Sequence, residues 1–266
     1  MPASIFRPLG KREVLQTQSA GANSERIANS SDTLHTALTE TGARFAAGAQ
    51  PGTIRLLDVF PLRSPISISY KVSLYGPAQI DCQGFAITLN GPVVLQNFSL
   101  INCGGIVVNS ENVVMRQITI SAGNACPGIL VNNAYAVIDD VTMTTGTATF
   151  TSSISLNNGS YTVINRVVSN SPILVDVVLS SSEVRIIDCI SATATVNFDG
   201  QLWVVRGNRI GNITGSVVSG SSVISGNVMN GANIDTSAGL GSNTIFGNTN
   251  CGTITPDTTD AVGLNT

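Results

Sequence analysis

The sequence predicts an all-β chain wound into a parallel β-helix, with one short helix capping its N-terminal end. Three observations lead there. First, residues 93–121, VVLQNFSLINCGGIVVNSENVVMRQITIS, contain one unit twice. Val93-Val94-Leu95, two polar residues and Phe98-Ser99-Leu100 are answered by Val113-Val114-Met115, two polar residues and Ile118-Thr119-Ile120. Second, apolar residues inside each unit alternate or run in threes, which is the period of a strand and not of a helix. Third, the unit recurs down the chain. With Val94, Val114, Val137, Val163, Ile186, Val204, Val223 and Ile245 as anchors, the steps are 20, 23, 26, 23, 18, 19 and 22 residues. A step near twenty that wanders is expected of a coil whose loops differ from turn to turn. Leucine-rich repeats and propellers require side-chain signatures that are absent here.

Composition agrees. Hydrophobic residues make up 42%, charged residues 11% and aromatics 5%, against a usual charged fraction of about a quarter. Val and Ile supply the apolar part and Ser, Thr, Asn and Gly the polar part, as in short strands joined by tight turns. A net charge of −3 gives no reason to expect a nucleic-acid partner. Eight of the thirteen Lys and Arg lie at or before Lys71. The first residues, MPASIFRPLGKREVLQ, lack the apolar core of a secretory signal, and no run has the length of a membrane span. Neither a leader nor a membrane partner is expected.

Five cysteines, an odd number, argue against a disulfide framework. Cys82, Cys103 and Cys126 are spaced at the repeat step, which predicts a stack of small buried side chains. His35 is the only histidine, so the ligand spacing of a zinc site is missing and no cofactor is expected.

Taken in order, residues 1–30 are small, polar and slightly basic, and are either a loose tail or an arm that orders on a partner. Residues 31–47 predict a helix that Ser31 or Asp32 can cap, with Leu34, Ala37, Leu38 and Phe45 on one face. Its expected task is to cover the open end of the coil, whose unpaired strands would otherwise recruit other chains. Strands follow from Thr53, and the β-helix domain is expected over 31–251. Gly207-Asn208, Gly226-Asn227 and Gly247-Asn248 predict an amide ladder, with Gly permitting a left-handed corner beside each Asn. Residues 252–266 are expected to form a tail or a distal cap.

The opening strands carry a more specific likeness. Pro51-Gly52-Thr53-Ile54, Phe60-Pro61-Leu62, residues 72–76 and residues 80–89 resemble the first turns of the right-handed parallel β-helix, or pectate-lyase-like, superfamily. The resemblance covers about residues 30–250. It implies a single-stranded, right-handed coil, and it specifies fold and not chemistry, since the superfamily includes polysaccharide lyases and hydrolases, phage tailspikes, surface adhesins and virion decoration proteins.

An enzyme of this kind needs carboxylates converging on one bond, with a base nearby. The catalytic candidates are Asp139, Asp140 and Asp188 as acids and Arg116 or Arg166 as base. Stacking turns about 4.8 Å apart is expected to set Arg116 beside Asp139 and Asp140 beside Arg166, an arrangement of counter-ions and not a cleft. For a glycan, Trp203 with Tyr161 is the candidate binding pair, though Trp203 could equally fill the core. The long insertion at residues 144–161 offers only Phe150 to stack on a sugar.

These features together predict a non-enzymatic rod of nine or ten turns, about 45 Å long. The resemblance implies a homotrimer on a virion surface, a phage or virus capsid decoration (cement) protein. Its N-terminal region would hold the major capsid protein or another virion protein. Residues 155–156, 175–179 and 217–218 are the apolar stretches expected between chains. A polysaccharide-binding or polysaccharide-degrading β-helix is the other expectation.

Overall fold

The computed structural model describes residues 25–132, 135–191, 194–216 and 219–266. The chain opens with β1 (Glu25–Ala28), α1 (Ser31–Ala46), β2 (Gly52–Leu56), β3 (Val59–Pro61), β4 (Ile66–Ile68), β5 (Val72–Tyr75), β6 (Gln79–Asp81) and β7 (Ile87–Leu89). The long strands come next: β8 (Val93–Cys103), β9 (Ile106–Val108), β10 (Val113–Ala122), β11 (Ile129–Val131), β12 (Ala136–Thr144) and β13 (Ile154–Asn157). Beyond them lie β14 (Val163–Asn165), β15 (Val168–Ser169), β16 (Ile173–Leu179), β17 (Arg185–Ile187), β18 (Ile190–Ser191) and β19 (Thr195–Phe198). The last group is β20 (Val204–Arg206), β21 (Arg209–Ile210), β22 (Ile213–Gly215), β23 (Val223–Ser225), β24 (Ile234–Asp235), β25 (Thr244–Phe246), β26 (Ile254–Thr255) and β27 (Ala261–Val262).

Each strand pairs in parallel with strands one turn away, so the chain is a parallel β-solenoid of about ten turns. Seventeen strands form a larger sheet and ten a smaller one. Five turns give two strands to the larger sheet, one on each side of a corner, and one to the smaller; in β8, β10 and β12 a single long strand runs through that corner.

The core is a set of columns running along the coil axis. In the larger sheet Ile54, Leu74, Leu95, Met115, Ile138, Ile164, Ile186, Val205, Ile224 and Ile245 stand in unbroken register. All are buried. The smaller sheet faces them with Ile66, Ile87, Ile106, Ile129, Ile154, Val175, Val196, Ile213, Ile234 and Ile254. β-Branched side chains suit these positions because each packs on its like one rung away. Two sequence anchors slip by one residue: the partner of Val163 is Arg185, not Ile186, and the partner of Val223 is Thr244, not Ile245. Elsewhere the anchor is the outward Val, whereas Ile186 and Ile245 point inward. A one-residue slip moves a side chain to the other face of the sheet.

The corner inside the larger sheet is made by one left-handed residue per turn: Asn97, Gln117, Asp140, Arg166, Asp188, Gly207, Gly226 and Gly247, with φ between 50° and 69°. At Gly207 a Cβ would lie 2.4 Å from Asp188 Oδ1, whereas at Gly226 and Gly247 there is room for one and glycine serves the left-handed φ alone. Just past this corner the inward column changes character. Phe98, Ile118, Val141, Val167 and Cys189 give way to buried Asn208, Asn227 and Asn248. Asn208 Nδ2 donates to Asn227 Oδ1 and Asn227 Nδ2 to Asn248 Oδ1, each at 2.9 Å. The same amides donate to the carbonyls of Ile186 and Val205. A second ladder of Asn90, Asn109, Asn132 and Asn157 runs outside the smaller sheet, with donor–acceptor distances of 2.7 to 3.0 Å.

Helix α1 packs on β1 and β2, burying Leu34, Ala37 and Leu38 beside Ala28, Ile54 and Leu56. Its N-cap is Ser30, not Ser31 or Asp32, because Ser30 and Thr33 exchange bonds in a capping box. Phe45 is exposed; it tilts over Tyr70 with ring centroids 6.3 Å apart. The coil is also longer than the sequence implies at both ends. β1 lies inside the stretch expected to be an arm and pairs with β2 from Glu25 to Ala28; residues 1–24 lie outside the described chain. Residues 252–266 supply β26 and β27, which continue both sheets as a last turn. β1 is too short and polar to read as a strand on its own; its partner β2 makes it one.

Candidate functional site

The charged residues marked from the sequence share one corner but do not converge. Arg116 stands opposite Asp139 in register. The ion pair that forms is Arg166 to Asp139, at 2.7 Å. Asp139 also accepts from Asn165 Nδ2 at 2.8 Å. Arg166 therefore pairs with Asp139 and not with Asp140, because the left-handed backbone at Arg166 sends its side chain back over the neighbouring rung. Asp140 is exposed. Asp188 is not in the column of Asp139. Ile187 occupies that column, and Asp188 follows Asp140 and Arg166 in the left-handed one. With a cation between two acids along that column, the set is a corner of alternating charge in which Asp139 and Arg166 neutralise each other.

Trp203 takes no part in a surface site. It is 0% exposed, its Nε1 donates to the Ser181 carbonyl at 2.5 Å, and its ring tilts against Phe198 at 5.7 Å. Phe150 is buried as well. Tyr161 does face solvent, and its neighbour is Tyr135. Their rings stack at 4.8 Å with planes 3° apart, and they are 44% and 47% exposed. Both residues have φ near +60°, a conformation that bulky side chains rarely adopt. Glu183, next along the same corner, pushes the Tyr161 phenol upward by its charge and by a hydrogen bond.

Two hollows lie elsewhere. One, of about 560 Å³, runs between α1 and β4 and is floored by Leu38, Phe45, Ile66 and Tyr70. Its polar groups are already engaged: His35 bonds the Ser31 carbonyl at 2.7 Å and Ser64 Oγ at 3.0 Å, and the Tyr70 hydroxyl donates to the Leu38 carbonyl. Burial pushes that phenol up to about 12.

The second hollow, about 290 Å³, lies on the outer face of the smaller sheet across β16, β19 and β22. It gathers Asp176, Asn197, Asp199, Thr214 and Ser216. Asp176 accepts from Asn197 Nδ2 at 3.2 Å, and Asp199 accepts from Ser216 Oγ at 2.5 Å. Beside it the register of β13 on β16 shifts at Val178, leaving Val178 and Leu179 58% and 57% exposed. Sequence reasoning passed over this group because its members on successive turns are 15 to 23 residues apart. The available signal was the outward phase they share within strands that carry no Lys or Arg.

Cys82 and Cys103 stack as expected, and both are buried. Cys126 leaves the column: the rung partner of Cys103 is Ala122. The hydrogen bond to Cys103, together with burial, pushes the Cys82 thiol upward. Burial pushes the Cys189 thiol up to about 12. A reagent must reach the thiol before it can react, so native protein at pH 8 is expected to alkylate at half-buried Cys126 and Cys251. Cys103 is shielded by burial although its hydrogen bond to Cys82 pushes its thiol downward. Cys82, Cys103 and Cys189 should react about a hundredfold more slowly until the chain is unfolded. Mass spectrometry of labelled peptides reads this, and fast labelling of Cys189 in folded protein would contradict its placement.

Among the described residues no cluster of three or more His, Cys, Asp or Glu is placed to hold a metal ion, and no helix is long and apolar enough to cross a membrane. Compared with protein-family models, curated proteins and solved structures, the chain has no match.

Proposed function

We propose that this chain is a non-enzymatic structural rod that assembles as a homotrimer and decorates a phage or virus capsid. Residues 1–24 would reach toward the capsid shell. The observation that carries the reading is the outer face of the larger sheet. Val94, Val114, Val137 and Val163 form an outward row in unbroken register. Val168 on β15, Ile190 on β18 and Val228, which bridges to Arg209, are exposed past the corner beside it. Apolar rows of this length on the outside of a coil suit contact with another chain. The exposed Val178 and Leu179, on β16 of the smaller sheet, offer a second apolar patch on a different face. Ser155, Leu156 and Val175 are buried and take no part, and residues 217–218 lie outside the described chain. The balanced corner at Asp139 and Arg166 supports the non-enzymatic half of the reading.

Light scattering on the full chain and on a chain beginning at Glu25, which keeps β1, tests the assembly. The expected result is three times the 27.5 kDa chain mass for the full chain, and three times its own smaller chain mass for the shortened one. A monomer in both would defeat the proposal. A trimer lost only with residues 1–24 would move self-association from the rod to the arm.

A second reading, polysaccharide binding, is favoured by one observation, the exposed Tyr135–Tyr161 stack with Glu183 beside it. Flat aromatic faces next to a carboxylate suit a sugar ring and its hydroxyls.

A further inference from the structure

Along the C-terminal half of the coil the strand residues divide by charge between the two sheets, while Glu183 and Asp188 occupy the turns that flank β17 of the larger sheet. From β14 onward the strands of the larger sheet carry Arg185, Arg206 and Arg209 and no acid; those of the smaller sheet carry Asp176 and Asp235 and no base. Asp199 directly follows β19 and faces the same way. Arg185, Arg206 and Arg209 have no ion-pair partner among the described residues.

The acidic side is also concave. Its hollow of about 290 Å³ presents two carboxylates, an amide and two hydroxyls, a set dominated by acceptors. Among the described residues, Asp176 takes one side-chain donor, Asn197, and Asp199 takes one, Ser216. A guanidinium, with five N–H donors in a planar fork and no acceptor, is the side-chain group that suits such a socket.

Height along the coil picks out which guanidinium. The hollow spans the turns that contain β16, β19 and β22. In those same three turns the larger sheet presents Val168, Ile190 and Arg209, one above another in register. Parallel copies standing at equal height would bring this column against the socket of the next copy. Arg209 would meet the level of Thr214 and Ser216, with Asp199 one turn away, about 4.8 Å. Ile190, 48% exposed, and Val168 would cover Val178 and Leu179.

We infer that the occupant of the Asp176–Asp199 hollow is Arg209 of a second copy of this chain, and that copies join through two different faces, larger sheet against smaller sheet. Such a head-to-tail contact closes into a ring when the rotation between copies is a whole fraction of a turn, which is how it yields a trimer. The inference rests on the self-assembly reading above and adds the faces and the residues to it.

Charge reversal in the full-length chain tests it. Arg209→Glu and Asp199→Arg, each alone, are expected to raise the concentration for half-assembly tenfold or more, read by light scattering over a dilution series. The double variant is expected to recover assembly, as paired charges do across an interface. Ile190→Ser, an outward change that leaves the core columns untouched, should weaken assembly while the chain keeps its fold, its melting temperature falling only as far as the lost association requires. Circular dichroism checks that each variant is folded. A trimeric wild type whose single variants all assemble normally would overturn this pairing of faces and leave the trimer standing. Loss in the single variants without recovery in the double would overturn the Arg209–Asp199 contact. A monomeric wild type would overturn both the trimer and the faces.

Discussion

Asn227→Ala is expected to cost roughly 3–5 kcal/mol of unfolding free energy, far more than a small polar residue usually carries. Asn227 is fully buried, in the middle of the inner ladder. Its Oδ1 accepts from the backbone N–H of Asn208 at 3.0 Å and from Asn208 Nδ2 at 2.9 Å. Its Nδ2 donates to the Val205 carbonyl and to Asn248 Oδ1, each at 2.9 Å. Alanine would strand the Asn208 N–H and the Val205 carbonyl without water, and each such orphan costs about 1–3 kcal/mol. Asn227→Asp separates the ladder from simple packing. An ionised aspartate there would set negative oxygen against the Val205 carbonyl and Asn248 Oδ1, so its folded pKa would lie above the unfolded value. An acid raised on folding stabilises only while it is protonated, so this variant should gain stability as pH falls from 7 toward 4. Urea unfolding at both pH values reads this. A cost below about 1 kcal/mol for Asn227→Ala would mean that the corner closes without its amides.

How much of the molecule can be read in its sequence follows from what repeats. The inward columns are legible because each rung must place an apolar side chain on the one below, so Leu95, Met115 and Ile138 recur in phase. The inner ladder is legible for the same reason, as Gly-Asn at three successive turns. Phase fails where the outward residue stops being Val. At Arg185 and Thr244 the nearest apolar residue is the inward one, and the anchor shifts onto it. The site was less legible because neighbours across rungs are fixed by register and not by separation in the chain. Asp188 reads as a third acid beside Asp139 and Asp140 until the pairing of Ile187 with Asn165 moves it round the corner. Asp176 and Asp199 look like scattered surface acids until β16, β19 and β22 stack them around one hollow.

Trp203→Ala is expected to lower stability by about 3–5 kcal/mol. It should leave any glycan binding unchanged once measured below the lowered melting temperature. Trp203 is the only tryptophan and sits just before β20. Being fully buried, it fills space between turns against Phe198, and its truncation removes a large volume that neighbours held by the two sheets cannot close over. It also frees the Ser181 carbonyl that the indole N–H satisfies. For a chain of this size a loss near 4 kcal/mol lowers the melting midpoint by about 10 °C. The wild-type indole should emit as a buried chromophore and resist aqueous quenchers, and added glycan should not move its spectrum. The tyrosines predict the opposite division. Tyr161→Ala and Tyr135→Ala remove exposed rings from strained corners, so stability should change little. If polysaccharide binding is real, affinity on a glycan array should fall tenfold or more in these variants. A glycan that shifts the tryptophan emission, or binding that survives loss of both tyrosines, would place any sugar site away from this corner. Stability that is unaffected by Trp203→Ala would contradict the packing of β20 itself.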